Sequence, residues 1–178
     1  MYEVKNMPGS LLKVVRFDEA GAKSITTQLA GKELLNKTTS IATPAMEDAS
    51  AQGINALIVQ DVTKAFPGGT AFNSTATATA AQKAAIKTMF DEMGQKGLVW
   101  EDGALRNVFV YETRNGLRAG ILDTDRIFRF SEIGNQSDSI QALIVQKTYD
   151  GLKASGVSPF RATAEDYMDA LFRFYYGG

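Results

Sequence analysis

Leu98-Val99-Trp100-Glu101-Asp102-Gly103-Ala104-Leu105-Arg106-Asn107-Val108-Phe109-Val110 carries a carboxylate, Asp102, and an amide, Asn107, five positions apart. The two bracket a short loop between a predicted helix and a predicted strand. Residues 107–112 (NVFVYE) and 117–122 (LRAGIL) are apolar or alternating runs on either side of Asn115-Gly116. Asn-Gly between such runs is a strong hairpin signal, because both residues accept the positive φ of a tight turn. The second run ends in Ile121-Leu122-Asp123-Thr124-Asp125, so another carboxylate closes an apolar strand sixteen residues after Asn107.

Upstream, residues 2–5 (YEVK) and 11–16 (LLKVVR) flank Asn6-Met7-Pro8-Gly9-Ser10 and predict a hairpin through a Pro-Gly turn. Residues 23–38 place Ile25, Leu29, Leu34 and Leu35 at helical spacing. Residues 40–53 give no clear pattern, and 54–62 (INALIVQDV) form a short β-branched run expected as a buried strand. After a Gly- and Thr-rich loop, 80–95 predicts a helix with Ile86, Met89, Phe90 and Met93 on one side and Gly97 as its stop. Residues 138–154 and 163–176 also read as helices, the last ending in the aromatics Phe172, Phe174, Tyr175 and Tyr176, expected in the core. This order predicts an α+β fold and not a repeating βαβ sheet. Met1 stands immediately before a predicted strand, which leaves room for an upstream segment.

Composition narrows the chemistry. The 178 residues are 44% hydrophobic and 22% charged, an ordinary globular balance for one domain. The net charge of −1 supplies no cationic excess to attract nucleic acid, so none is expected as a partner. No run approaches the roughly 20 apolar residues that span a bilayer, and a soluble protein is expected. With no cysteine there are no disulfides, thiolate nucleophiles or Cys-bound zinc. With no histidine there is no imidazole acid–base chemistry and no Ser-His-Asp triad. Catalysis would rest on carboxylates, Lys, Arg, hydroxyls and oxygen-liking ions such as Mg²⁺.

The ordered set Asp102, Asn107, hairpin, Asp123 resembles the protein-kinase pattern of catalytic-loop Asp, Asn and metal-binding Asp. Upstream residues extend the resemblance. Lys13 lies on a strand where kinases hold the lysine of the α- and β-phosphates, Glu33 lies on the following helix, and Gln60-Asp61-Val62 fall where a strand runs into the adenine hinge. The resemblance implies Asp102 as catalytic base, Lys13 set by Glu33 on the phosphates, ATP held by Lys13, Gln60, Asp61, Val62, Asn107 and Asp123, and Mg²⁺ held by Asn107, Asp123 and Asp125. It also implies a β-rich lobe over residues 1–62 and a reduced, mainly helical lobe over 63–178.

The chain departs from the family at several points. No glycine-rich loop precedes Tyr2, Trp100-Glu101 replaces His-Arg, Asp123-Thr124-Asp125 replaces Asp-Phe-Gly, no Ala-Pro-Glu follows, and 53 residues remain after Asp125. Kinases so reduced resemble bacterial effectors of the OspG type, delivered by type III secretion, and toxin modules of larger bacterial proteins. The implied activity is ATP- and Mg²⁺-dependent phosphoryl transfer to a protein hydroxyl in a target cell. The alternatives are a pseudokinase that binds a host partner, and a small-molecule kinase.

Each site residue also has a plainer reading. Asp102-Gly103 makes an ordinary turn, Asn107 caps a strand, and Lys13 and Glu33 are solvated surface charges. Asp125 is either a second metal ligand or a solvated loop acid. Trp100 reads as packing rather than a ligand platform, and Arg106 as a charge that solvates the loop rather than a substrate contact.

Overall fold

Two antiparallel strand pairs decide where the chemistry sits. The structure, a computed structural model, describes residues 2–5, 7–15, 17–73 and 75–177. Met1, Asn6 of the predicted turn and Arg16 at the predicted strand end lie outside the described residues. Strands β1 (Tyr2–Glu3), β2 (Ser10–Val14), β3 (Met46–Asp48) and β4 (Ala56–Gln60) form one antiparallel sheet in the order β1-β2-β4-β3. The expected first hairpin is there, with Gly9 at φ 82° in its turn. The unassigned stretch 40–53 supplies β3. The run 54–62 is a strand only to Gln60; Asp61 then accepts from the Thr63 N–H and caps the short helix α2 (Val62–Ala65).

Helix α1 (Glu19–Thr38) starts four residues before the predicted window, because Asp18 caps it by accepting from the Gly21 N–H. Its buried face carries Gly21, Ile25, Gln28, Gly31 and Leu35. Ile25 packs with Leu57 and Val59 of β4, with Leu29 and Met46 alongside. Lys13 pairs with Leu57 across the β2–β4 ladder, so period-2 alternation turns the lysine toward the same face as Leu57 and thus toward α1.

The remaining elements are β5 (Thr70–Ala71), α3 (Ala80–Gln95), β6 (Leu98–Trp100), β7 (Val108–Thr113), β8 (Gly116–Ile121), β9 (Ile127–Arg129), α4 (Asp138–Ala154) and α5 (Ala164–Tyr176), with 3-10 turns at Leu105–Asn107 and Phe130–Asn135. Helices α3 and α5 both open on capping boxes, Thr79 with Gln82 and Thr163 with Asp166. Gly97 ends the turn after α3 at φ 70°. The main core joins α3 (Ile86, Met89, Phe90, Met93), β6, the β7–β8 hairpin and α5 (Met168, Leu171, Tyr176), with Trp100 fully buried. Tyr176 belongs to this core, Phe172 and Tyr175 pack against it, and Phe174 stays exposed. The architecture is mixed α+β with small antiparallel sheets, as the element order predicts. Among the described residues no helix is long and apolar enough to cross a membrane.

Strand β9 was not foreseen, and it matters most. It pairs with β6 so that Trp100 faces Ile127, and the Glu101 N–H continues the ladder to the Arg126 carbonyl at 3.2 Å. At the other end, β7 and β8 pair Val108 with Ile121, and the Leu122 N–H donates to the Asn107 carbonyl at 2.8 Å. The loops 101–107 and 122–126 therefore run side by side, joined at both ends.

Helix α1 closes on the second loop at Gly31. A Cβ there would stand 2.0 Å from the Thr124 carbonyl oxygen. In an exposed helix interior, Gly→Ala gains up to about 1 kcal/mol; here overpacking of about 1–3 kcal/mol should reverse the sign. Gly31→Ala is expected to lower the urea midpoint; an increase would mean that α1 does not approach Thr124 so closely.

Candidate functional site

Lys13 and Asp123 are 110 positions apart in sequence and form an ion pair, Nζ to Oδ2 at 2.9 Å, with both side chains about a quarter exposed. The lysine's second partner is Gln28, whose Oε1 accepts at 2.9 Å. Gln28 is buried and each of its polar groups has a partner: its Nε2 donates to Ser24 Oγ, and its backbone carbonyl accepts from Thr124 Oγ1 at 2.5 Å. A polar side chain on a buried helix face is stable only when so satisfied.

Glu33, the helix carboxylate expected at Lys13, is elsewhere. It lies exposed one turn before Lys37 and accepts a 2.6 Å bond from it, which holds the Glu33 carboxyl below the usual carboxylate range. The signal for Gln28 was in the sequence: a glutamine sharing a helical face with Gly21, Ile25, Gly31 and Leu35, where two glycines announce close approach.

The loop 101–107 is internally tied. Asn107 Nδ2 donates to the Asp102 carbonyl at 2.9 Å, while the Leu105–Asn107 turn leads directly into β7. Both carboxylate oxygens of Asp102 accept from Arg106 Nη2 at 3.0 Å. Arg106 thus covers Asp102. In the neighbouring loop the Asp125 N–H donates to Asp123 Oδ1 at 3.1 Å, and Asp125 Oδ1 accepts from Thr27 Oγ1 of α1 at 2.6 Å and from the Arg126 N–H at 3.0 Å. Asp125 therefore links the loop to α1 through its Oδ1.

Asn107 and Asp123 suit a hard cation. With Nδ2 turned to Asp102, the amide oxygen of Asn107 is its remaining donor atom, and Asp123 follows Leu122, which is bonded to Asn107. Mg²⁺ commonly takes one or two protein oxygens and completes its shell with phosphate and water. Among the described residues there is no group of three or more acidic side chains that could hold a metal unaided.

Gln60, Asp61 and Val62 are not in contact with this group. The Gln60 N–H donates to the Ala45 carbonyl, Asp61 caps α2 while its own N–H donates to the Gly9 carbonyl, and Val62 is buried. They lie at the end of β4, the strand paired beside Lys13. A cavity of about 430 Å³ lies along α1, lined by Thr27, Gly31, Leu34, Asp125, Arg126 and Phe128 among others. It borders Asp125 but none of Lys13, Asp102, Asn107 or Asp123.

The sequence reading noted Glu101 only as a departure from the kinase pattern, without foreseeing its burial or its partners. Glu101 is fully buried and its carboxylate meets two cations: Oε2 accepts from Arg126 Nη1 at 2.8 Å, and Oε1 takes Lys147 of α4. Tyr175 of α5 accepts from Lys147 at 2.6 Å and donates to the Glu101 carbonyl at 2.8 Å. The Glu101 hydrogen bond raises the Arg126 guanidinium further above its usual range. Comparison with protein-family models, curated proteins and solved structures found no match.

Burial pushes the phenols of Tyr175 and Tyr176 well above the usual value, helped at Tyr175 by the charges of Asp102 and Glu101. Below pH 10, the ordinary phenol value, both folded and unfolded chains keep these protons, and stability does not depend on them. Above it the unfolded chain ionises first, so stability falls as pH rises. The melting temperature is expected to decline above pH 10, and less steeply in Tyr175→Phe. Equal slopes in the two proteins would remove Tyr175 as a source of the alkaline loss.

Proposed function

We propose that this protein is a reduced, protein-kinase-like phosphotransferase that uses ATP and Mg²⁺ to phosphorylate a hydroxyl on a partner protein. The Lys13–Asp123 ion pair carries the reading, since it joins two residues that the kinase resemblance pairs functionally and that the sequence holds 110 positions apart. The Asn107 amide on the Asp102 carbonyl and the Asn107–Leu122 backbone bond add to it. In this reading the β-rich lobe would be the sheet with α1, and the reduced lobe the part that begins at α2.

In this reading each side chain has a defined task. Lys13, facing α1 from β2, exchanges Asp123 for phosphate oxygens when nucleotide enters. Asp102 receives the acceptor hydroxyl and orients it, accepting its proton as the acceptor oxygen bonds the γ-phosphorus and the β–γ P–O bond breaks to release ADP. Each Asp102 oxygen accepts one bond from Arg106 and keeps acceptor capacity for the hydroxyl, and an exposed pair of this kind is worth about 0–1 kcal/mol, so Arg106 is easily displaced. Mg²⁺ at Asn107 and Asp123 would neutralise charge on the phosphate oxygens. Gln28 takes the place at Lys13 that the resemblance gives to Glu33.

A second reading has an observation of its own. Gln28 brings no charge to Lys13, and Arg106 occupies both oxygens of Asp102. Both features suit a pseudokinase that binds a partner protein without transferring phosphate. The effector or toxin role and delivery into a target cell belong to the same proposal.

Thermal denaturation with ATP, with and without Mg²⁺, tests nucleotide binding. A ligand bound only by the folded state stabilises it by roughly 2.7 kcal/mol at a hundredfold excess over Kd. The wild type is expected to shift only with metal present, and Asp123→Asn to shift little. No shift in either protein would end the phosphotransferase reading. Transfer of ³²P from ATP to a protein acceptor separates the two readings: Asp102→Ala should abolish it while leaving the thermal shift, and binding without any transfer by the wild type would favour the pseudokinase.

A further inference from the structure

We infer that Glu101 is a positioning residue: through Arg126 it holds the loop 122–126 in the conformation that presents Asp123. Arg126 has φ 60°, in the left-handed region. A side chain with a Cβ is disfavoured there, and such residues persist only where their surroundings over-determine them. Arg126 is held at three points. Its N–H donates to Asp125 Oδ1, its carbonyl accepts from the Glu101 N–H, and its Nη1 donates to Glu101 Oε2. Two of the three come from Glu101.

The support behind Glu101 is firm. Lys147 takes the other carboxylate oxygen, and Tyr175 takes the Glu101 carbonyl, so α4 and α5 both fix the residue. The load in front of it is the site. Were Arg126 to leave the left-handed region, the peptide joining it to Asp125 would swing. The Arg126–Asp125 bond would open first, followed by the Thr27–Asp125 and Asp125–Asp123 bonds. Asp123 would then lose the contact that orients the carboxylate facing Lys13. The alternative is that Glu101 merely tethers α4 to the strand β6, with no bearing on the loop.

Substitutions at Arg126 separate the two, because glycine adopts φ 60° freely and alanine does not. Arg126→Ala and Arg126→Gly both lose the guanidinium; only alanine keeps the strain. Amide hydrogen exchange is read on the protein without nucleotide. Glu101→Gln and Arg126→Ala are each expected to speed exchange of the Asp125 and Arg126 amides by about tenfold or more, with the amides of α3 unchanged. Arg126→Gly is expected to stay near the wild type. If alanine and glycine variants behave alike, or if Glu101→Gln speeds exchange only in α4 and α5, Glu101 is a tether and the inference fails.

The functional consequence rests on the phosphotransferase reading. Partners that orient a metal ligand typically matter by roughly 10- to 100-fold in affinity, so Glu101→Gln should weaken Mg²⁺-dependent ATP binding by that factor and Arg126→Gly by far less. A loosened loop in a protein that binds no nucleotide would uphold the role of Glu101 and overturn the proposed activity instead.

Discussion

The site depends on two short loops being tied together at both ends. β6 pairs with β9 and β7 pairs with β8, each antiparallel, so the stretch from Glu101 to Asn107 lies against the stretch from Leu122 to Arg126. Backbone hydrogen bonds close the pair at Glu101–Arg126 and at Asn107–Leu122. Neither loop is free to drift, and the few residues between carry Asp102, Asn107, Asp123 and Asp125. Helix α1 is then brought onto the second loop by the absence of a side chain at Gly31, which lets the Thr124 carbonyl approach the helix. Only with that approach do Gln28, Thr27 and Lys13 reach their partners.

Magnitudes separate the ion pairs of this region. The Asp102–Arg106 pair is exposed, and a surface pair of this kind contributes about 0–1 kcal/mol; it can open without consequence for the fold. Lys13 and Asp123 are each about a quarter exposed, and in the phosphotransferase reading phosphate oxygens replace the carboxylate. Glu101 is different. A carboxylate with no exposure has given up its hydration, and removing a partner from a buried pair costs about 3–5 kcal/mol. The chain accommodates that charge with two cations from opposite sides, Arg126 and Lys147, and a phenol on its carbonyl. Asp102 and Asp123 thus keep part of their hydration, whereas Glu101 keeps none.

Much of this was legible in the sequence wherever the signal is local. Asn115-Gly116 announces the β7–β8 hairpin, Gly97 marks the end of α3, and the windows 80–95 and 138–154 coincide with helices α3 and α4. The sequence reading paired Lys13 with Glu33; that Lys13 meets Asp123 instead is visible only in the fold. What escaped the sequence is non-local. β9 is three residues long and has meaning only through β6, β3 is half polar and exists because β4 offers an edge, and the strand 54–62 is cut short because Asp61 makes a better helix cap than ladder member. Glu33 illustrates the limit of spacing arguments. Its distance from Lys13 along the chain suits the expectation, but the face it occupies is set by the stripe Gly21-Ile25-Gln28-Gly31-Leu35, and that stripe turns Glu33 outward.

The exchange of a carboxylate for Gln28 has a consequence for how Lys13 behaves. A glutamate at that point would share the lysine's charge with Asp123 and would bind it whether or not Asp123 were engaged. An amide oxygen offers direction without net charge, so Asp123 is the only carboxylate on Lys13 Nζ among the described residues. In the phosphotransferase reading, a metal ion at Asp123 would withdraw that partner just as phosphate oxygens arrive. Gln28, held by Ser24 and by the Thr124 hydroxyl on its own carbonyl, would keep the ammonium aimed. The lysine would then be oriented by α1 and neutralised by whichever anion the site contains, an arrangement in which the charge balance at Lys13 reports directly on occupancy at Asp123.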